Sequence, residues 1–106
     1  MPKYMIQASY TVEGVKGVQS KGGSSRRDAV AEMIEGVGGS LEAFYFSFGD
    51  SDVVAIADLP DNAAATAIAL TVNAAGGAST KTSLLMTPEE VDEATQRSVE
   101  YRPPGE

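Results

Sequence analysis

The stretch that decides the fold is LEAFYFSF at residues 41–48, the turn GDSD at 49–52, and DVVAIAD at 52–58. Four of the eight residues in the first segment are aromatic, a composition suited to a pleated strand. In extended geometry Phe44, Phe46 and Phe48 share one face with Glu42, and Leu41, Ala43, Tyr45 and Ser47 share the other. Gly49-Asp50-Ser51-Asp52 has turn chemistry. Asp52–Asp58 then reads as a second strand, with Val54 and Ile56 on one side and Val53, Ala55 and Ala57 on the other. The two strands form a hairpin with large apolar groups on both faces, so both faces need cover.

Upstream, Lys3–Tyr10 reads as a first strand, with Ile6, Ala8 and Tyr10 on one face and Met5, Gln7 and Ser9 on the other. Thr11–Gly23 holds four glycines and predicts a loop with at most a short helical turn. Its Gly14-Val15-Lys16-Gly17 only weakly echoes a phosphate-binding loop. Ser24–Val37 predicts a helix, because Val30, Met33, Ile34 and Val37 fall on one stripe. Ser25 and Asp28 have capping-box spacing, and Gly36, Gly38 and Gly39 mark the stop. Arg26 and Arg27, at the start of that helix, read either as solvated charge or as a pair facing an anion.

Downstream, Pro60 breaks the hairpin strand and Asp61 or Asn62 caps a helix over Asn62–Ala75. Ala64, Ile68, Val72 and Ala75 form its expected inner stripe. Ser79–Met86 predicts a fourth strand. Thr87-Pro88-Glu89-Glu90 carries every start signal for a short helix running to about Gln96. The order β-α-β-β-α-β plus a C-terminal helix is the α+β, ferredoxin-like pattern. It predicts a four-stranded antiparallel sheet in the order 4-1-3-2, with the helices on one face. The other face is then bare and apolar, which predicts pairing with a second copy into a dimeric α/β barrel. Residues 1–96 are expected to form one domain and 97–106 a tail.

Composition excludes much chemistry. The chain of 106 residues has no Cys and no His, so disulfides, thiol nucleophiles, Cys/His zinc sites and Ser-His-Asp triads are ruled out. Trp is absent too, and the net charge is −7. That charge argues against nucleic acid and anionic membrane surfaces as partners. No N-terminal apolar run marks a signal peptide, and the Ala-rich stretch at 63–75 is too short to span a bilayer; the expectation is a cytoplasmic protein. Asp50, Asp52, Asp58 and Asp61 cluster around the hairpin, but turn and cap chemistry accounts for all four, and no metal site is expected.

The chain also resembles a known family. Tyr10, Thr11 and Gly14, the segment Gly38–Gly49, Asp52–Ile56 and the Leu59-Pro60-Asp61 break are similar to the GYD domain family. The resemblance runs from about Pro2 to Thr87. The family's Gly-Tyr-Asp motif stands before the third strand; here Ser51 takes the place of the tyrosine, between Gly49-Asp50 and Asp52. The resemblance implies a ferredoxin-like, dimeric α/β barrel and little about activity.

The candidate ligand-binding residues are Gln7, Ser9, Tyr10, Phe44, Phe46 and Lys81. Gln7 and Ser9 read either as polar groups lining a small pocket with Phe44 and Phe46, or as part of a hydrogen-bonded dimer interface. Tyr10 either bonds a ligand or anchors the glycine-rich segment. Lys81 is an anion anchor or nucleophile if inside a barrel, and an edge-strand charge that blocks aggregation if not. Phe44, Tyr45, Phe46 and Phe48 read as core and interface rather than as a cofactor box. No catalytic residue and no cofactor is assigned. The leading expectation is a homo-oligomeric binding or accessory protein holding a small apolar ligand. The rivals are a cofactor-independent enzyme on a small hydrophobic substrate and a purely structural subunit.

Overall fold

Two crossovers, each passing over a neighbouring strand, build the molecule in the computed structural model, which describes residues 1–106. The elements are β1 (Lys3–Tyr10), α1 (Val12–Lys21), α2 (Gly23–Gly36), β2 (Ser40–Phe46), β3 (Val53–Asp58), α3 (Asn62–Ala75), β4 (Ala78–Leu85) and α4 (Pro88–Thr95). The sheet order is β2-β3-β1-β4, all neighbours antiparallel, which is the expected order read from the opposite edge. The fold is α+β, with a four-stranded antiparallel sheet of the ferredoxin-like kind.

Register sorts the sheet residues into two faces. Tyr4, Ile6, Ala8 and Tyr10 of β1 align with Val53, Ala55 and Ala57 of β3 and with Ala78 and Thr80 of β4. This face packs against the helices. At one end Tyr4, Ala57 and Leu59 meet Ile34 of α2 and Ala65 and Ile68 of α3 in a buried cluster. The alanines of α3 let its backbone come close to the sheet. The buried Tyr4 hydroxyl donates to Oδ1 of Asn62, so the ring is buried without stranding its polar tip. Gly38, at φ 88°, turns the chain out of α2, and the Gly39 amide closes on the Ile34 carbonyl at 3.0 Å.

Several local expectations are corrected. The glycine-rich Thr11–Gly23 segment is not a loop: it forms α1, ten residues long. Thr11 caps it by accepting from the Gly14 amide, Glu13 lies in its first turn and Lys21 in its last. α2 starts two residues before the expected Ser25 cap and has no side-chain cap, because α1 leads into it through Gly22 alone. β2 ends at Phe46 and has an irregularity between Leu41 and Ala43. The extra residue, Glu42, moves Leu41 onto the same face as Phe44 and Phe46, overturning the simple alternation. In α3 the buried pair is Ala65 and Ile68 with Val72 packed beside it, while Ala75 is exposed. α4 has the expected capping box on Thr87 and Glu90, yet every residue from 86 to 106 is exposed.

Candidate functional site

A cavity of about 580 Å³ lies at the end of the helix layer opposite the Ile34–Leu59 cluster. α1, the first turns of α2 and the last turns of α3 wall it, and Tyr10 with Ala78 forms its floor. Its size comes from small residues: Gly14 and Gly17 of α1, Ala29 of α2, Ala75 of α3 and Gly77 leave space unfilled. Beneath it a recess of about 40 Å³ lies between Val30 and Met33 of α2 and Ile6, Ala8, Phe44 and Val53 of the sheet. The two spaces share Tyr10, Arg26, Val72 and Ala78.

Three contacts hold the roof in place. The Thr11 amide donates to the Gly77 carbonyl at 3.0 Å, and its Oγ1 donates to the Gly76 and Gly77 carbonyls at 3.1 and 3.2 Å. Gly14 lies directly over this turn: a Cβ there would stand 2.1 Å from the Gly77 oxygen. Only glycine lets α1 seat at this point. Yet α1 buries none of its residues, and Val12 and Val15 face solvent. It is thus the least anchored of the helices around the cavity.

The floor is positioned from the hairpin. Asp52 accepts from the Tyr10 amide at 2.7 Å through its carboxylate, and its own amide donates to the Ala8 carbonyl at 2.8 Å. The side chain of Asp52 therefore pins the last residue of β1 where the strand enters the cavity. Ser51, in the hairpin turn, accepts from Nε2 of Gln7 at 3.4 Å. The remaining hairpin carboxylates do structural work: Asp58 accepts from Lys3, and Asp61 caps α3 through the Ala64 amide.

The six expected site residues divide between the two faces of the sheet. Tyr10 and Phe44 line the cavity and its recess. Phe46 lies on the same face, edge-on to Phe44 at 5.3 Å between ring centres, in a shallow groove beside Gly23 and Arg27. Gln7, Ser9 and Lys81 lie on the opposite face, where Gln7 sits across from Lys81 and Ser9 from Ser79. The expected pocket of Gln7 and Ser9 with Phe44 and Phe46 is thus corrected, because a pleated strand separates them by the thickness of the sheet. Lys81 is exposed on the edge strand β4.

The charge of the cavity is not visible from composition. Its lining contains Lys21 and Arg26 and no carboxylate, in a chain of net charge −7. None of the four ion pairs uses either residue. Nε of Arg26 is buried and has no hydrogen-bond partner in the protein. Sequence reasoning missed Lys21, Val72 and the α1 glycines. The overlooked signal was Thr11 as a cap with Val12, Val15 and Val18 three residues apart.

Comparison with known families adds one finding. The GYD domain family model matches residues 4–95. The chain belongs to the GYD domain family. In this member Asp52 is the residue that holds Tyr10 at the cavity floor. No curated protein and no solved structure matches the chain. No helix is long and apolar enough to cross a membrane.

Proposed function

We propose that this GYD domain protein is a homodimeric binding protein that holds a small, largely apolar ligand in the cavity under α1. The observation that carries the reading is the cavity itself. At about 580 Å³ it falls within the roughly 300–1,000 Å³ of small-molecule sites. Its floor is fixed by Asp52, its recess is apolar, and its roof is a glycine-containing helix with no buried residue. A roof of that kind opens at low cost, which gives a ligand a way in.

The pairing rests on the second face of the sheet, which no helix covers. Met5, Val54, Ile56, Ala43 and Tyr45 form an apolar patch there, and Gln7 and Ser9 of β1 with Ser79, Lys81 and Ser83 of β4 form its polar flank. An apolar centre beside a polar rim is the usual anatomy of an interface.

Native mass spectrometry of protein taken directly from its expression host tests both parts. The expected result is a two-subunit mass that releases a small molecule on denaturation, with Ile56→Asp shifting the population to monomer. A wild-type monomer overturns the pairing. An empty dimer whose cavity amides do not respond to toluene in NMR spectra overturns the ligand.

A further inference from the structure

The protein is acidic, yet the only charged residues that line the cavity under α1 are cations. Fifteen Asp and Glu residues are available, yet none lines this cavity, while Lys21 and Arg26 both do. Arg26 stands at the junction between the wide chamber and the apolar recess, since it borders both. Its Nε is shielded from water and unpaired. A buried, unsatisfied donor on a charged group is costly, and such sites call for an explanation. The neighbouring Arg27 shows the ordinary alternative: it is exposed and pairs with Asp28 at 3.2 Å. The two adjacent arginines thus differ: Arg27 is paired at the surface, and Arg26 borders the cavity with its Nε buried and no ion-pair partner.

The geometry points to an apolar carboxylate as the ligand class. Its charged group meets the Arg26 fork, with Lys21 adding a second positive charge, and its hydrocarbon part lies over Tyr10, Val72 and the recess. A guanidinium presents parallel N–H donors that match a carboxylate, and a desolvated setting strengthens that match. The apolar recess excludes a bare anion as the full occupant, because inorganic phosphate leaves it empty. This inference rests on the binding reading above and specifies its ligand.

Titration of isotope-labelled protein with phenylacetate, phenylacetamide and inorganic phosphate, followed by amide shifts at Ala29, Gly77 and Ala78, tests it. Phenylacetate is expected to bind about tenfold or more tighter than the isosteric amide, the scale of one hydrogen bond to a charged group. Arg26→Gln is expected to remove that preference while amides around Ile34 and Leu59 keep their positions. Arg26→Lys keeps the charge without the fork and is expected to restore only part of the preference. Equal binding of phenylacetate and phenylacetamide overturns the carboxylate inference and leaves the cavity reading standing. Phosphate binding as tightly as phenylacetate overturns the apolar part. A wild-type protein in which none of the three moves a cavity amide overturns both readings.

Discussion

The two ends of the helix layer cover the same sheet face and are built differently. At one end Ile34 and Leu59 are completely buried, and Tyr4, Ala57, Ala65 and Ile68 close around them. At the other, Ile6, Val53 and Ala55 form a smaller cluster, and glycine and alanine stand where larger side chains would fill the space above it. The first end supplies stability through close packing. The second gives up packing and keeps a chamber, two cations and a lightly held roof. A domain this small has few residues to divide between the two tasks, and here they are separated along the strands.

The sharpest way to break the comparison is to remove a side chain at each end. Leu59→Ala is expected to cost about 3 kcal/mol, because it leaves a void among fully buried neighbours. Val72→Ala, beside an existing cavity, is expected to cost about 1 kcal/mol. Chemical denaturation of the two variants checks the pair, and equal losses would mean that the ends are packed alike.

A smaller effect of variable sign is expected within α1. Gly14→Ala drives a methyl group into the Gly77 carbonyl, so about 2 kcal/mol of stability is expected to be lost, with faster hydrogen exchange confined to α1. Gly17 has no atom within 4 Å of an added Cβ and lies in the helix interior. Gly17→Ala is therefore expected to stabilise by up to about 1 kcal/mol and to slow exchange in the same helix. Opposite signs at two glycines one turn apart would identify α1 as a roof seated at a single point.

The smallest effect belongs to the well-packed end. Lys3 bridges Glu42, at the β2 irregularity, and Asp58 at 2.9 and 3.0 Å. Hydrogen bonds to Glu42 and then Asp58 raise its pKa above the ordinary 10.5. A lysine raised in the folded state contributes stability that is fully present below 10.5 and is lost as pH rises through the folded value. Lys3→Met should therefore flatten a slight fall in melting temperature above that pH and change little at neutrality, since the pair is largely solvated.

Much of this was legible in the residue pattern. The period-two runs in β1 and β3, the stripe in α2, the Ala-rich α3 and the Thr87–Glu90 capping box are local signals, written in neighbouring residues; they give the element types, and the ferredoxin-like order of those elements gives the strand order. Composition excluded thiol and histidine chemistry outright. Tertiary structure decided the rest. The extra residue at Glu42 changed which face Leu41 occupies, because register depends on the partner strand. Four glycines hid α1, whose position is held by contacts with Gly76 and Gly77 more than 60 residues away. Local propensity argues against that helix, and only the distant turn supplies what seats it. The cavity's positive lining has the same origin: Lys21 and Arg26 are unremarkable in a helix start and a helix end. They become a site only where folding brings them over Tyr10 and leaves every carboxylate of the chain elsewhere.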